Sequence, residues 1–456
     1  MDKISSSDII QWTGGAALVK DFFRSPRYFH TVSIDSRKPL THALFIALRG
    51  ERFDGHDFLA EAFAKGAEAA LVSQSPQNSF PCILVKDTRQ GLGEIAEGYR
   101  KRFSCPIVGI AGSDGKTTTK EMVSAILNLS FRTVATEKNL NNEIGLPLNI
   151  LRLENSSEAG VFEIGINAPG ELSRLSSILS PDIAILTGIG YSHIGIFQTR
   201  RILAESKCEL FDGLSKEGYV AANADTPFSS LIKERSPVPV SFFGIHGKGD
   251  LQGIIEKWSP KGFVLNIPSW NERFPLTFWN AALAYSALAA LWIGNHFEIK
   301  KSRMREVLAS FTPLKGRGAI LTNQDITLFD ESYNANPASM KNALHYFSLL
   351  SAKRKIAVLG TMAELGRHSK PCHTRLGKFL ATLSLDLLLT CGKETESLIP
   401  ISGISGKHFS NAEELGEWLS KNLQKGDAIL IKGSRVNQLE TVITALFGSK
   451  ENPYVL

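Results

Sequence analysis

Cysteine is scarce. The 456 residues hold five, at Cys82, Cys105, Cys208, Cys372 and Cys391, scattered, odd in number and without a CxxC pair. That pattern excludes a disulfide framework and a cysteine-based zinc site, and it favours reduced thiols in a reducing cytoplasm. Long apolar runs are missing too. The longest, Ala281 to Ile293, includes Tyr285 and Ser286 and falls short of the roughly 18 residues of a spanning helix, so no membrane segment is expected. Charge of one sign is not concentrated anywhere: a formal +6 without a basic tail gives no reason to expect nucleic acid, and suits an anionic small substrate equally well. The N-terminus, with Asp2 and Asp8 among serines, does not read as a secretion signal. Short-period repeats and low-complexity tracts are lacking, which argues against solenoids.

What is present is an ordinary globular composition, 43% hydrophobic and 21% charged, long enough for two to four domains, with three the starting expectation. Short apolar runs (Leu44–Leu48, Ala69–Val72, Ile83–Val85) alternate with alanine-rich helical pieces up to a boundary near Ser104-Cys105-Pro106. Ile107–Ile110 then leads into a glycine-rich turn, after which Met122, Ile126 and Leu129 recur at helical spacing. Further buried-strand candidates lie at Val161–Ile164 and Ile183–Thr187, and a third series follows Pro313: Lys355–Leu359, Leu387–Thr390 and Ala428–Ile431. The expected fold is α/β in three domains: a small N-terminal α/β unit (1–103), a central parallel sheet (104–312) and a second open α/β sheet (313–456). Functional residues of such sheets gather at the carboxyl ends of the strands.

The strongest chemical signal is Gly112-Ser113-Asp114-Gly115-Lys116-Thr117, between a predicted strand and a predicted helix. Glycines let successive N–H groups and the helix N-terminus face a phosphate, Lys116 can neutralise β/γ oxygens, and the Thr117 hydroxyl can ligate magnesium. Residue 110 is Ile where the longer P-loop pattern wants Gly, and Asp114 sets an acid in an anion site, where its side chain must turn away or touch a metal. Glu163 ends an apolar strand, where a carboxylate needs a positive partner, either a magnesium ion or an ordinary salt bridge. His193, six residues after Thr187, reads as a metal ligand or, taken alone, more readily as a structural histidine. Lys207 reads locally as an exposed lysine in an acid-rich helical turn. Asp330 to Pro337 is a dense polar cluster readable as a site or a turn, and Lys432-Gly433-Ser434-Arg435 offers amides and two cations to an anion.

Taken together, Asp35-Ser36-Arg37, Leu44 to Asp57, Gly112 to Met122, Asn139 to Gly145, Ser332 to Asn336, Met362 to Gly366 and Lys432 to Arg435 resemble the Mur ligases in order and spacing over nearly the whole chain. Within that family the resemblance is nearest to members that add D-alanyl-D-alanine to UDP-N-acetylmuramoyl-tripeptide. It implies an N-terminal domain for the UDP part of the substrate, a central P-loop ATPase-like domain and a C-terminal Rossmann-like domain, with ATP and Mg2+ as cofactors and an acyl-phosphate intermediate. By resemblance, Gly112, Ser113, Asp114, Gly115, Lys116, Thr117, Thr118, Asn280, Arg317 and Asp330 bind ATP, while Thr117, Glu163 and His193 hold the metal. Lys207 matches a lysine that the family carbamylates into a further metal ligand. Lys116, Lys207, His193 and Lys432 are the implied catalytic set. Asp35, Ser36, Arg37, Asn139, Asn142, Tyr333, Asn334 and Asn336 are the implied substrate contacts, and a monomer is expected.

The chain departs from the family pattern at several points. A Gly-x-His-Asn element is replaced by Phe274 to Asn280, leaving Asn280 as the adenine contact. Ala111, Asp114, Ala168 and Thr361 stand where other residues are usual. Rival readings are a ligase of the same superfamily that adds a single amino acid, to a UDP-muramoyl chain or to folate, and a non-catalytic nucleotide-binding module. The LFIALRGERFDGHDF segment and the SYNANP cluster favour the dipeptide-adding members, and Lys116, Glu163, Lys207 and Lys432 argue against a mere binding module.

Overall fold

The computed structural model describes residues 1–448 apart from 248 and 324, so the last residues of the expected third unit lie outside the described chain. In the N-terminal unit the strands are Ile4–Ser5 (β1), Ala16–Ala17 (β2), Tyr28–Phe29 (β3), Thr31–Ser33 (β4), Ala43–Ile46 (β5), Ala67–Val72 (β6) and Cys82–Leu84 (β7). β1 pairs with β3, and the others form a sheet in the order β2-β7-β6-β5-β4, parallel except for the β2–β7 edge. The helix Thr88–Arg100 docks this unit on the next one. Its buried Arg100 donates to the Leu179 carbonyl at 3.0 Å and pairs with Asp182 at 3.3 Å.

The central strands are Ile107–Ala111 (β8), Thr133–Ala135 (β9), Ala159–Glu163 (β10), Ile183–Leu186 (β11), Tyr219–Asn223 (β12), Val240–Gly244 (β13) and Leu251–Gln252 (β14). They form an all-parallel sheet ordered β14-β13-β12-β11-β8-β10-β9. Fully apolar strands such as β8 and β11 are what a sheet covered on both faces requires. Register sets Glu163 beside Ile110 and Leu186 beside Ala111, so three strand ends finish level where the site forms.

One face carries the helices Lys116–Leu127 and Ala284–His296, packed together in a shared core. The longest apolar run of the sequence is thus a helix buried almost all round, as its lack of a polar stripe demands. A three-stranded antiparallel sheet, Ile254–Ser259 (β15), Gly262–Ile267 (β16) and Glu272–Leu276 (β17), extends this core and was not expected from the sequence. Leu129, expected on the phosphate-loop helix, lies just past its end.

The C-terminal strands are Ala319–Asn323 (β18), Ile326–Glu331 (β19), Arg354–Gly360 (β20), Leu387–Cys391 (β21), Gly406–Phe409 (β22) and Asp427–Lys432 (β23). The order is β18-β19-β23-β20-β21-β22, parallel except for the β18–β19 hairpin. Glu331 and Lys432 are register partners at the carboxyl ends of β19 and β23, facing the central sheet's strand ends across a cleft.

Candidate functional site

The cleft is a cavity of about 1320 Å³, walled by the central and C-terminal units. Its floor is the phosphate loop. Gly112 (φ 144°) and Gly115 (φ 75°) occupy backbone regions closed to most side chains, and a Cβ on Gly112 would come within 2.1 Å of Thr187 Oγ1. Gly115 is the N-cap of the helix Lys116–Leu127, so that helix's first N–H groups open into the cleft. Ser113 N–H donates to the Gly188 carbonyl at 2.8 Å, and Thr187 Oγ1 donates to the Asp114 carbonyl at 2.6 Å, fixing the loop to the end of β11. Lys116 Nζ donates to the Gly112 carbonyl at 3.1 Å and folds over the loop. Thr118, largely buried, also borders the cleft.

The Asp114 side chain lines the cleft and is engaged from the C-terminal unit. Its carboxylate accepts a hydrogen bond from Asn336 Nδ2, which also donates to Ser192 Oγ at 3.0 Å. Asn336 caps the helix Pro337–Ser348 with Ser339 in a reciprocal capping box. One asparagine therefore ends a helix of the C-terminal unit and ties that helix to the phosphate loop.

Glu163 is 3% exposed, yet among the described residues it forms no ion pair within 4 Å. Its oxygens accept from Thr117 Oγ1 and from Asn141 Nδ2, each at 2.7 Å. A buried carboxylate held only by neutral donors is a ready position for a cation. Among the described residues no three His, Cys, Asp or Glu side chains converge to hold a metal by themselves. His193, with φ 62°, lines the cleft and sets Nδ1 2.7 Å from a Glu364 oxygen, holding that carboxyl below the usual range.

Lys207 overturns its local reading as an exposed lysine, being 1% exposed. The helix Arg200–Cys208 buries Leu203, Ala204, Lys207 and Cys208 on one face, while the neighbouring acids look elsewhere: Glu205 pairs with Arg201, and Glu209 accepts from the N–H groups of Gly170 and Ser173. Burial, and then the positive charge of Lys116, push the Lys207 amine well below its ordinary pKa, with Asp114, Glu209 and Glu163 opposing.

The opposite wall holds Lys432, 2% exposed, which donates to Glu331 at 3.3 Å and to the Asn334 carbonyl at 3.0 Å. Glu331 also accepts from Asn280 Nδ2 at 3.0 Å, and Asn280 Oδ1 caps the turn Ala281–Leu283. The arginine of Arg317 lies 3.9 Å over the Tyr333 ring at the rim. Asn139 and Asn142 line the cleft, and Asn142 Oδ1 also accepts from the N–H groups of Ile144 and Gly145.

Not every expected residue comes here. Asp330 is fully buried and accepts from the N–H groups of Gly316 (2.6 Å) and Ser332 (2.9 Å), shaping the wall behind the cleft surface. Asp35 and Arg37 pair with each other at 2.8 Å and Ser36 donates to Glu61, all in the N-terminal unit away from the cleft lining. The Arg37 guanidinium holds the Asp35 carboxyl down to about 2. Sequence reasoning passed over Asn141, Glu331 and Glu364, although each lies inside a motif already singled out.

Fold and cleft together define a class: α/β proteins that cradle a nucleotide phosphate at a strand-to-helix loop and complete the site with a second sheet. Family profiles described as Mur ligase family catalytic domain, Mur ligase middle domain, and Mur ligase glutamate ligase domain match residues 28–100, 110–293 and 316–435. The chain is 32% identical to the Bacillus subtilis protein named UDP-N-acetylmuramoyl-tripeptide--D-alanyl-D-alanine ligase, over 95% of this chain and 97% of that one. Crystal structures of MurF from Acinetobacter baumannii (TM-score 0.90, 28% identity, 98% and 99% of the two chains) and of MurF from Thermotoga maritima with ADP (TM-score 0.83, 28% identity, 91% and 96%) share its fold. The chain belongs to the Mur ligase family.

Proposed function

We propose that this chain joins D-alanyl-D-alanine to UDP-N-acetylmuramoyl-tripeptide at the expense of ATP, yielding a UDP-muramoyl-pentapeptide. The observation that carries the chemistry is the convergence of the phosphate loop, buried Glu163 and buried Lys432 on one cleft from two sheets. The choice of substrates rests on the relatives' names and their full-length match.

A carboxylate is a poor electrophile and repels a triphosphate unless cations screen both. In the proposed sequence the tripeptide carboxylate attacks the γ-phosphorus and the bond to ADP oxygen breaks, giving an acyl phosphate. The dipeptide amine then attacks the carbonyl carbon, the carbon–oxygen bond to phosphate breaks, and the amine loses a proton. Loop amides from Gly112 to Thr118 and Lys116 hold the phosphates, Asn280 and Arg317 border the nucleotide, and Asp330 holds the wall beside them. Lys432 meets the transferring phosphoryl group from the C-terminal side. Asp35, Ser36 and Arg37 face the UDP portion, and Asn139, Asn142, Tyr333, Asn334 and Asn336 border the peptide.

Thr117, Glu163 and His193 would hold magnesium, joined by Lys207 once its neutral amine has added carbon dioxide and released a proton; the ion supplies charge screening at the phosphates. The depressed amine favours the neutral form that carbamate formation needs. Residues 1–103, 104–312 and 313–456 are the proposed domains, acting as a monomer because one chain supplies the whole cleft. No helix among the described residues is long and apolar enough to cross a membrane, all five cysteines are free, and the cytoplasm, where ATP is made, is the proposed compartment.

The test is phosphate release from ATP and magnesium with UDP-muramoyl-tripeptide, with and without D-alanyl-D-alanine, and mass analysis of the product. Amine-dependent release with a pentapeptide product supports the reading. ATP binding without turnover on any peptide acceptor overturns it in favour of a binding module.

A further inference from the structure

Beyond the phosphate loop, the central and C-terminal units touch at a second built contact. Gly195 N–H donates to the Glu364 carbonyl at 2.9 Å. The backbones approach so closely that a Cβ on Gly195 would sit 2.7 Å from the Gly366 nitrogen, and one on Gly366 would sit 2.8 Å from the Gly195 Cα. The Gln198 carbonyl accepts from Arg367 at 3.3 Å and meets His368 Nε2 at 2.8 Å. The contact between His193 Nδ1 and a Glu364 carboxylate oxygen, 2.7 Å, lies within the same interface.

His193, Gln198 and Glu364 have φ of 62°, 63° and 62°, in the left-handed region that non-glycine residues avoid. Such residues persist only where their surroundings over-determine them, and they cluster where function uses the strain. Here they fall on both sides of an interface between two sheets. Glu364 occupies Nδ1 of His193, and among the described residues no other side-chain contact engages the ring's nitrogens. A carboxylate on one imidazole nitrogen fixes the ring's tautomer and orientation and leaves the other nitrogen for a ligand.

We propose that Glu364 is a positioning residue: through Nδ1 it orients His193 so that Nε2 is presented to the cation at the phosphates, and because Glu364 belongs to the C-terminal unit, that presentation is complete only while the two units touch. The inference rests on the reading of His193 as a metal ligand. It makes metal affinity depend on an interdomain contact rather than on the central unit alone.

The experiment is a titration of the full-length protein with Mn2+ and a non-hydrolysable ATP analogue, free Mn2+ being read by electron paramagnetic resonance. Glu364→Gln is isosteric and is expected to raise the Mn2+ dissociation constant about tenfold or more, as loss of a histidine's orienting partner does. Analogue affinity without metal stays unchanged, a split that a merely structural role would not produce. Gly195→Ala, which drives a methyl into the Gly366 backbone while leaving both side chains intact, is expected to give the same loss of Mn2+ affinity. Unchanged Mn2+ affinity in Glu364→Gln overturns the positioning role, and unchanged affinity in Gly195→Ala overturns its dependence on the interface. A wild-type protein that binds no Mn2+ with the analogue overturns the metal reading itself, and this inference with it.

Discussion

Two lysines, one on the cleft wall and one outside its lining, are almost equally hidden from water and oppositely treated by their surroundings. Lys432 arrives at the end of β23 to find Glu331 on the adjacent strand and the Asn334 carbonyl, so its charge is answered within its own sheet. Lys207 arrives on a helix, behind the phosphate loop, and among the described residues no hydrogen bond or ion pair reaches its amine. Burial of a charge is tolerable when a partner meets it, and otherwise the group sheds its charge. Lys432 is therefore matched within its own wall of the cleft. Among the described residues Lys207 has no such partner, and burial pushes its amine well below the ordinary lysine range; Glu163, its acidic neighbour, is likewise left with neutral donors alone.

Lys432→Met strands Glu331 in a mostly dry wall, and removing one partner of such a pair costs about 3 kcal/mol, the low end of the buried range because Glu331 borders the cleft. Urea denaturation reads the loss, and the double variant Lys432→Met with Glu331→Gln should recover most of it. A single-variant loss below about 1 kcal/mol would mean that the pair is solvated and the contrast with Lys207 is empty.

Next in size is turnover at Lys207. Lys207→Ala should slow ligation by at least about 100-fold, the upper end of what removing an outer-sphere partner costs a metal site, with partial rescue by added short carboxylates. Full activity in this variant would sink the carbamate. Stability should move the other way from Lys432: Lys207→Met strands no ion-pair partner and should unfold within about 1 kcal/mol of the parent or later.

The difference between the lysines was illegible in the sequence, and the reason is physical. Local acids around Lys207 made it read as solvated, but Glu205 and Glu209 are turned to Arg201 and to the amides of Gly170 and Ser173, leaving the lysine on the inward face. Parallel strands were readable because covering both faces demands runs such as Ile183–Leu186, and the phosphate loop was readable because its glycines are forced. β15 to β17 escaped notice: β15 is half-exposed on most residues, and β17 carries Pro275, which an edge strand tolerates but a central strand does not. Phe278 and Trp279, in the stretch replacing the Gly-x-His-Asn element, are core residues, with Trp279 Nε1 bonded to the Gly318 carbonyl. Pairings between distant segments, such as Asp114 with Asn336 or His193 with Glu364, leave no local pattern to read.

The smallest effect sharpens the comparison at Glu163. Asn141→Ala removes the donor to one buried carboxylate oxygen, and a hydrogen bond to a charged group is worth about 1.5 kcal/mol or somewhat more. In metal-free buffer the variant should lose that much stability. With magnesium and a non-hydrolysable ATP analogue, a cation at Glu163 would answer the freed oxygen, so the gap from the parent should narrow. Thermal unfolding of both proteins with and without the metal measures it. A gap of the same size in both buffers would mean that Glu163 is a structural acid satisfied by Thr117 and Asn141, and the parallel between Glu163 and Lys207 as groups left open for a cation would fall.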